Sequence, residues 1–231
     1  RDSVLTAIAL IPSAPVMVPE LATGAAEELT ELRAAVFAAA RALPDRWIAV
    51  GVGSTDEVIA SGAAGTFGGY GVDVRVGLAG GDLADATRLP LCALITGWVR
   101  GQASPGARAE VRVYSDEHGP DAALARGRAL RAEVDGADDA VGVLIVADGA
   151  NTLTPPAPGG YDPDSAAVQM GLDDALGSGD VGVLADLPGG IVGRVAYQVL
   201  AGLAGPAPTA ARELFRGAPY GVGYFVGVWT P

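Results

Sequence analysis

Apolar runs and helical stripes take turns along the whole chain. The segment "SVLTAIALIPSAPVMVPEL" opens as a continuous apolar run broken at Pro12, the pattern of a strand buried on both faces that ends in a loop from Ser13 to Pro19. "AAEELTELRAAVFAAARAL" then puts Leu29, Leu32, Val36 and Ala40 on one helical face, with Thr23 as N-cap. "RWIAVGVGS" predicts a second buried strand, ending at Gly53, Ser54 and Thr55. Strand, loop, helix, strand is the order of a parallel βαβ unit.

The same alternation continues. "GVDVRVGL" has the period of two that belongs to a strand with one polar face. The stretch "LADATRLPLCALITGWVRGQ" predicts a helix entered near Pro90 and packed through Leu91, Leu94, Ile95 and Trp98. "AEVRVYS" reads as a strand, and "PDAALARGRALRAEV" as a helix with Pro120 and Asp121 in its favoured first turn. "AVGVLIVAD" is the clearest buried strand. "SAAVQMGLDDAL" and "GIVGRVAYQVLAGLAG" follow as helices, and "YGVGYFVGVW" as a final strand. These elements predict an α/β fold: one domain over residues 1–231, with a central mostly parallel or mixed sheet flanked by helices on both faces. Ligands of such sheets bind at the carboxyl ends of strands, so the loops at Ser13, Ser54, His118 and Asp148 are candidates for one shared site.

Charge narrows the possible partners. With 15 Lys+Arg against 27 Asp+Glu the net charge is −12, which repels phosphate backbones and argues against nucleic-acid or anionic-membrane binding. The single cysteine, Cys92, lies in an apolar segment and reads as a small buried hydrophobe, so no disulfide can form within one chain. No leader pattern is present, and no uncharged apolar stretch reaches the roughly 18 residues of a membrane span. The expected location is the cytoplasm.

Chemistry is sparse. One histidine and one cysteine rule out the multi-ligand zinc and iron sets, and no phosphate-loop motif is present. "GVGST" is at most a weak anion nest. His118, in "YSDEHGPDA", fits a general acid or base at a strand end, or else a solvated loop residue capping the next helix. Asp148, ending the most apolar strand, is either a turn former or a carboxylate facing a polar cleft. Ser13 lacks a neighbouring base to activate it. Asn151 can orient a ligand but cannot take a proton at neutral pH.

Three motifs in order resemble one family, the class III extradiol ring-cleavage dioxygenases of the LigB-like and Memo-like superfamily. "ALIPSAPVMVPEL" is similar to its opening, where an apolar strand meets Pro-His-Pro-Pro and a Val-Pro-Glu turn. "ADGANTLTPPAPGGYDP" resembles its Gly-Asp-x-Ser-His-x-Leu-Thr-Pro motif, and "GAPYGVGYFVGVW" its closing strand. "SDEHGPDAALARGRAL" is similar to an Asp-x-x-His helix entrance seen in many members.

The resemblance implies ring cleavage of catechols with oxygen on non-haem Fe(II), held by two histidines and a carboxylate. Its first metal histidine falls at Ser13, its second at Ser54 or Thr55, and its acid-base histidine at Asn151. Asp148 matches the motif's Asp, and His118 a substrate or outer-sphere histidine. Neutral hydroxyls are weak ferrous ligands. The expectation is therefore a metal-free, cofactor-free pseudoenzyme whose cleft binds a small molecule or a partner's peptide through Ser13, Ser54, Thr55, His118, Asp148 and Asn151, with Tyr161 as a wall. The alternative is an oxygenase or hydrolase with a rebuilt site, His118 as base and Asp148, Asp162 or Asp164 holding a hard cation. A homodimer is a further expectation from the family, as is an interaction protein working through its surface.

Overall fold

The computed structural model describes residues 4–22, 24, 27 and 29–231. Its strands, in chain order, are β1 (Leu5–Ile11), β2 (Arg46–Gly53), β3 (Glu57–Ile59), β4 (Ala64–Thr66), β5 (Arg75–Gly77), β6 (Arg108–Ser115), β7 (Val141–Val146), β8 (Ala210–Gly217) and β9 (Tyr224–Thr230). Seven of them form the mixed sheet that frames the molecule, in the order β3-β6-β2-β7-β1-β9-β8. The interior ladders β6-β2, β2-β7 and β7-β1 are parallel, while β3, β9 and β8 join antiparallel at the flanks. The remaining two, β4 and β5, form a separate two-stranded ribbon.

The apolar runs are continuous because both faces of the sheet are covered. On β2, Trp47 and Ala49 point into one core and Ile48 and Val50 into the other; on β7, Leu144 and Val146 oppose Val143 and Ile145. The first core is closed by α1 (Thr30–Arg41) and α2 (Leu91–Ala103). The second is closed by α3 (Pro120–Asp135), α4 (Ser165–Ser178), α5 (Val181–Ala185) and α6 (Arg194–Ala204). Helix α3 starts at Pro120 with Asp121 in its first turn, as its sequence requires, and α2 starts directly after Pro90.

Some local expectations differ from the structure. Helix α1 runs from Thr30, later than the stripe suggests, and the expected cap Thr23 lies outside the described residues. The alternating "GVDVRVGL" gives only the three residues of β5, which pair with β4 and pack on α2, outside the main sheet. The polar strand β8 and the three-residue β3 carry no usable period, and the hydrophobic pattern does not announce them. Strand β8 is an edge whose residues are mostly exposed or half-buried, so no apolar alternation marks it. No helix among the described residues is long and apolar enough to cross a membrane.

Candidate functional site

Three strands of the parallel interior end side by side, and their exits build a cavity of about 410 Å³. From β1 comes Ser13; from β2, Val52, Gly53 and Ser54; from β7, Val146, Ala147 and Asp148. Leu91, the first residue of α2, and Asp116, just past β6, form further wall, and Val192 and Gly193 close it at the start of α6. Gly193 has to be a glycine: a Cβ there would lie 2.5 Å from Ala147 Cβ and 2.8 Å from the Asp148 carbonyl oxygen. Its N–H donates to that carbonyl at 2.8 Å, which fixes the helix entrance against the strand exit.

Asp148 is the chemical centre of this cavity. Its Oδ1 accepts the Ser13 N–H at 2.8 Å, which ties the β7 exit to the β1 exit. Burial raises its carboxyl to about 6, opposed in part by that hydrogen bond. Two phenols lie near it. Tyr197 is buried and donates to the Ala147 carbonyl at 3.1 Å. Tyr224 is buried as well. Both hydroxyls are pushed up, first by burial and then by the negative charge of Asp148.

The cavity wall carries two carboxylates, Asp116 and Asp148, and no cationic side chain. Arg194, at the start of α6, spends its guanidinium on Gln198 Oε1 at 2.7 Å and the His118 carbonyl at 2.8 Å. What the site can do is hydrogen-bond a small polar molecule, repel anions, and exchange a proton at Asp148 close to neutral pH.

The structure brings together Ser13, Ser54 and Asp148 and leaves the other expected residues elsewhere. His118 does not line the cavity; its Nε2 lies 2.7 Å from Asp56 Oδ1, whose second oxygen meets Arg126 Nη2 at 3.3 Å. Asp56 also accepts the Ser115 N–H at 2.8 Å, and this bond is the main reason its carboxyl is held below the usual range. The histidine belongs to a partly exposed polar cluster beside the cleft because the turn after β6 swings its ring toward Asp56. Thr55 is exposed outside the cavity wall. Asn151 faces its own loop: its carbonyl accepts the Gly159 N–H at 2.9 Å, and its Oδ1 packs where a Gly159 Cβ would sit. Tyr161 is 55% exposed and walls nothing. Asp162 caps the N–H of Asp164 at 3.0 Å in a surface turn, so neither joins Asp148.

Sequence reasoning alone passes over Asp116, Leu91 and Val192. Only Asp116 carries a signal, since it follows a strand exit as Ser54 and Asp148 do. The buried support under the loop is equally silent in the sequence: Gln169 accepts the Ala150 N–H through Oε1 at 2.8 Å and donates from Nε2 to Asp173 Oδ1 at 2.9 Å. Gly149 and Gly223 leave the space that Gln169 fills.

The ferrous ion that the resemblance implies does not fit these residues. Ser13 and Ser54 offer neutral hydroxyls, the one imidazole is engaged by Asp56, and no three His, Cys, Asp or Glu side chains among the described residues are grouped to hold a metal.

Fold and site together define a single mixed-sheet α/β chain with a carboxylate-bearing cleft at its strand exits. No protein-family model matches it, and no curated protein matches it in sequence. Among solved structures it is similar to the uncharacterized protein JW3007 from Escherichia coli K12, with a TM-score of 0.59 and 12% identity over 98% of this chain and 100% of that one. At that identity the likeness establishes the fold alone.

Proposed function

We propose that the protein is a pseudoenzyme related to the class III extradiol ring-cleavage dioxygenases, resident in the cytoplasm, whose former active-site cleft binds a small uncharged or cationic molecule without metal. The observation that supports this reading most is the convergence of Ser13, Ser54 and Asp148 on one cavity at the strand exits. These are the positions where the family resemblance would set two metal histidines and the motif carboxylate, and here two of the three are hydroxyls. Asp148 would accept a hydrogen bond or a proton from the ligand, and the two serines would orient it.

Elemental analysis of the natively purified protein, run beside a ring-cleavage assay with protocatechuate, tests the proposal. The expected result is iron, manganese and zinc far below one per chain and no yellow ring-opened product. Near-stoichiometric iron with that product would overturn it.

A second reading keeps catalysis and rests on the 2.7 Å contact between His118 and Asp56, the geometry of a base oriented by a carboxylate. It requires that His118→Ala abolish a measurable hydrolytic or oxidative turnover while leaving the melting temperature within a degree or two of wild type. Retained turnover in that variant removes it.

A further inference from the structure

At the end of the sheet opposite the cleft, where β2 and β6 begin, Arg46 and Arg108 are direct partners across a parallel ladder. Paired positions project their side chains to the same face, so both arginines leave the sheet on one side. Both line a cavity of about 350 Å³, together with Ser61 from the turn after β3 and Glu110 from β6.

Two nearby carboxylates are engaged by Arg112. Glu110 lies 3.3 Å from Arg112 Nε, and Glu133 takes both remaining nitrogens of the same Arg112. Arg46 reaches Glu133 only as a weaker, longer-range pull. Neither Arg46 nor Arg108 makes an ion pair among the described residues, which is equally true of the exposed Arg88, Arg128 and Arg212; what sets the two apart is their pairing beside one cavity. Like charges on facing positions repel. With Glu110 engaged by Arg112 and Arg46 drawn to Glu133 only at longer range, two arginines on paired positions beside a concavity can take a counter-charge from outside.

We propose that this pocket binds a small dianion, a phosphate monoester or a dicarboxylate, through the forks of Arg46 and Arg108 with the Ser61 hydroxyl as a third donor. The planar guanidinium matches the paired oxygens of either group. The cavity has room for such a group with a short carbon skeleton. Anions are repelled from the strand-exit cleft by Asp116 and Asp148, so the two ends of the sheet would select opposite charges, and this site stands apart from the reading given for the cleft.

The test uses the full chain with glycerol phosphate, inorganic phosphate and succinate, each compared with sodium chloride at matched ionic strength. At ten times the dissociation constant the bound anion should raise the melting temperature by roughly 3–5 °C. Backbone amide signals of Ser61 and Ala109 should shift saturably, and raising the salt should weaken the effect. The double variant Arg46→Gln/Arg108→Gln should lose the response at least tenfold while melting no lower than wild type in chloride, because it removes a repulsion. If the double variant fails to fold, Arg108→Gln alone carries the comparison, its side chain being exposed. Ser13→Ala, at the other end, should respond like wild type. A response to glycerol phosphate alone assigns a phosphate ligand, and one to succinate alone a dicarboxylate. Responses no larger than chloride, or unchanged in the arginine variant, would overturn the proposal.

Discussion

Asp148 and Asp173 are carboxyls that folding works against. Burial raises each from an ordinary 3.8 to about 6. Between those values the folded chain holds protons that the unfolded chain has released. Each group's share of stability is therefore full below pH 4, falls as the pH climbs to 6, and stays lost above it. For Asp173, 8% exposed, the penalty at neutral pH is on the order of 2 kcal/mol. Asp173→Asn, which can still accept from Gln169, is expected to raise the melting temperature at pH 8 and leave it almost unchanged at pH 4. Thermal denaturation of both proteins across that range decides it. In the cleft, carbon-detected NMR should place the Asp148 midpoint near 6, and Asp148→Asn should abolish that titration. Cys92 follows from the same physics: buried against Gly51, its thiol is pushed up to about 12, chiefly by desolvation. A disulfide reagent should leave the native protein unlabelled at pH 8 and label one thiol per chain after denaturation.

At the scale of elements, the packing of α3 on α6 depends on two glycines that no stripe of apolar residues announces. Where α3 crosses α6, a Cβ on Gly127 would lie 2.1 Å from the Val199 carbonyl oxygen, and one on Gly202 would lie 2.2 Å from that of Leu124. Helix propensity alone favours alanine over glycine by about 1 kcal/mol. The backbone contact reverses the sign, so Gly202→Ala should cost about 2 kcal/mol or more and lower the melting temperature by roughly 4–8 °C. A stabilised variant would refute the contact. Legibility follows burial in the same way. β1, β2 and β7 are readable because both of their faces are apolar, and α2 and α3 because Pro90 and Pro120 mark their starts. β8 is not, since an edge strand with Arg212, Glu213 and Arg216 has no apolar alternation to display. β3 and β4, at three residues each, are shorter than any period that could reveal them.

For the molecule as a whole, the two cores share one sheet, and this makes their fates common. Trp47 and Trp98 report on the face covered by α1 and α2, and Trp229 on the other. Urea unfolding followed by the fluorescence of Trp229→Phe and of a Trp47→Phe/Trp98→Phe variant should give transitions coincident with far-ultraviolet dichroism. Separate midpoints would mean that one layer can leave the sheet without the other.

The sequence by itself determined the α/β alternation, a mostly parallel or mixed sheet, the strand exits at Ser13, Ser54 and Asp148, and the poverty of metal-binding side chains. Each of these depends on residue type and local period, which are present in the chain before it folds. Only the tertiary structure decided that His118 turns to Asp56, that Asn151 turns to its own loop, that Asp116 enters the cleft, and that Arg46 pairs with Arg108 across the sheet. Those outcomes depend on the direction in which a side chain leaves a strand end and on which distant strand lies beside it, and register between strands is fixed by packing across the sheet.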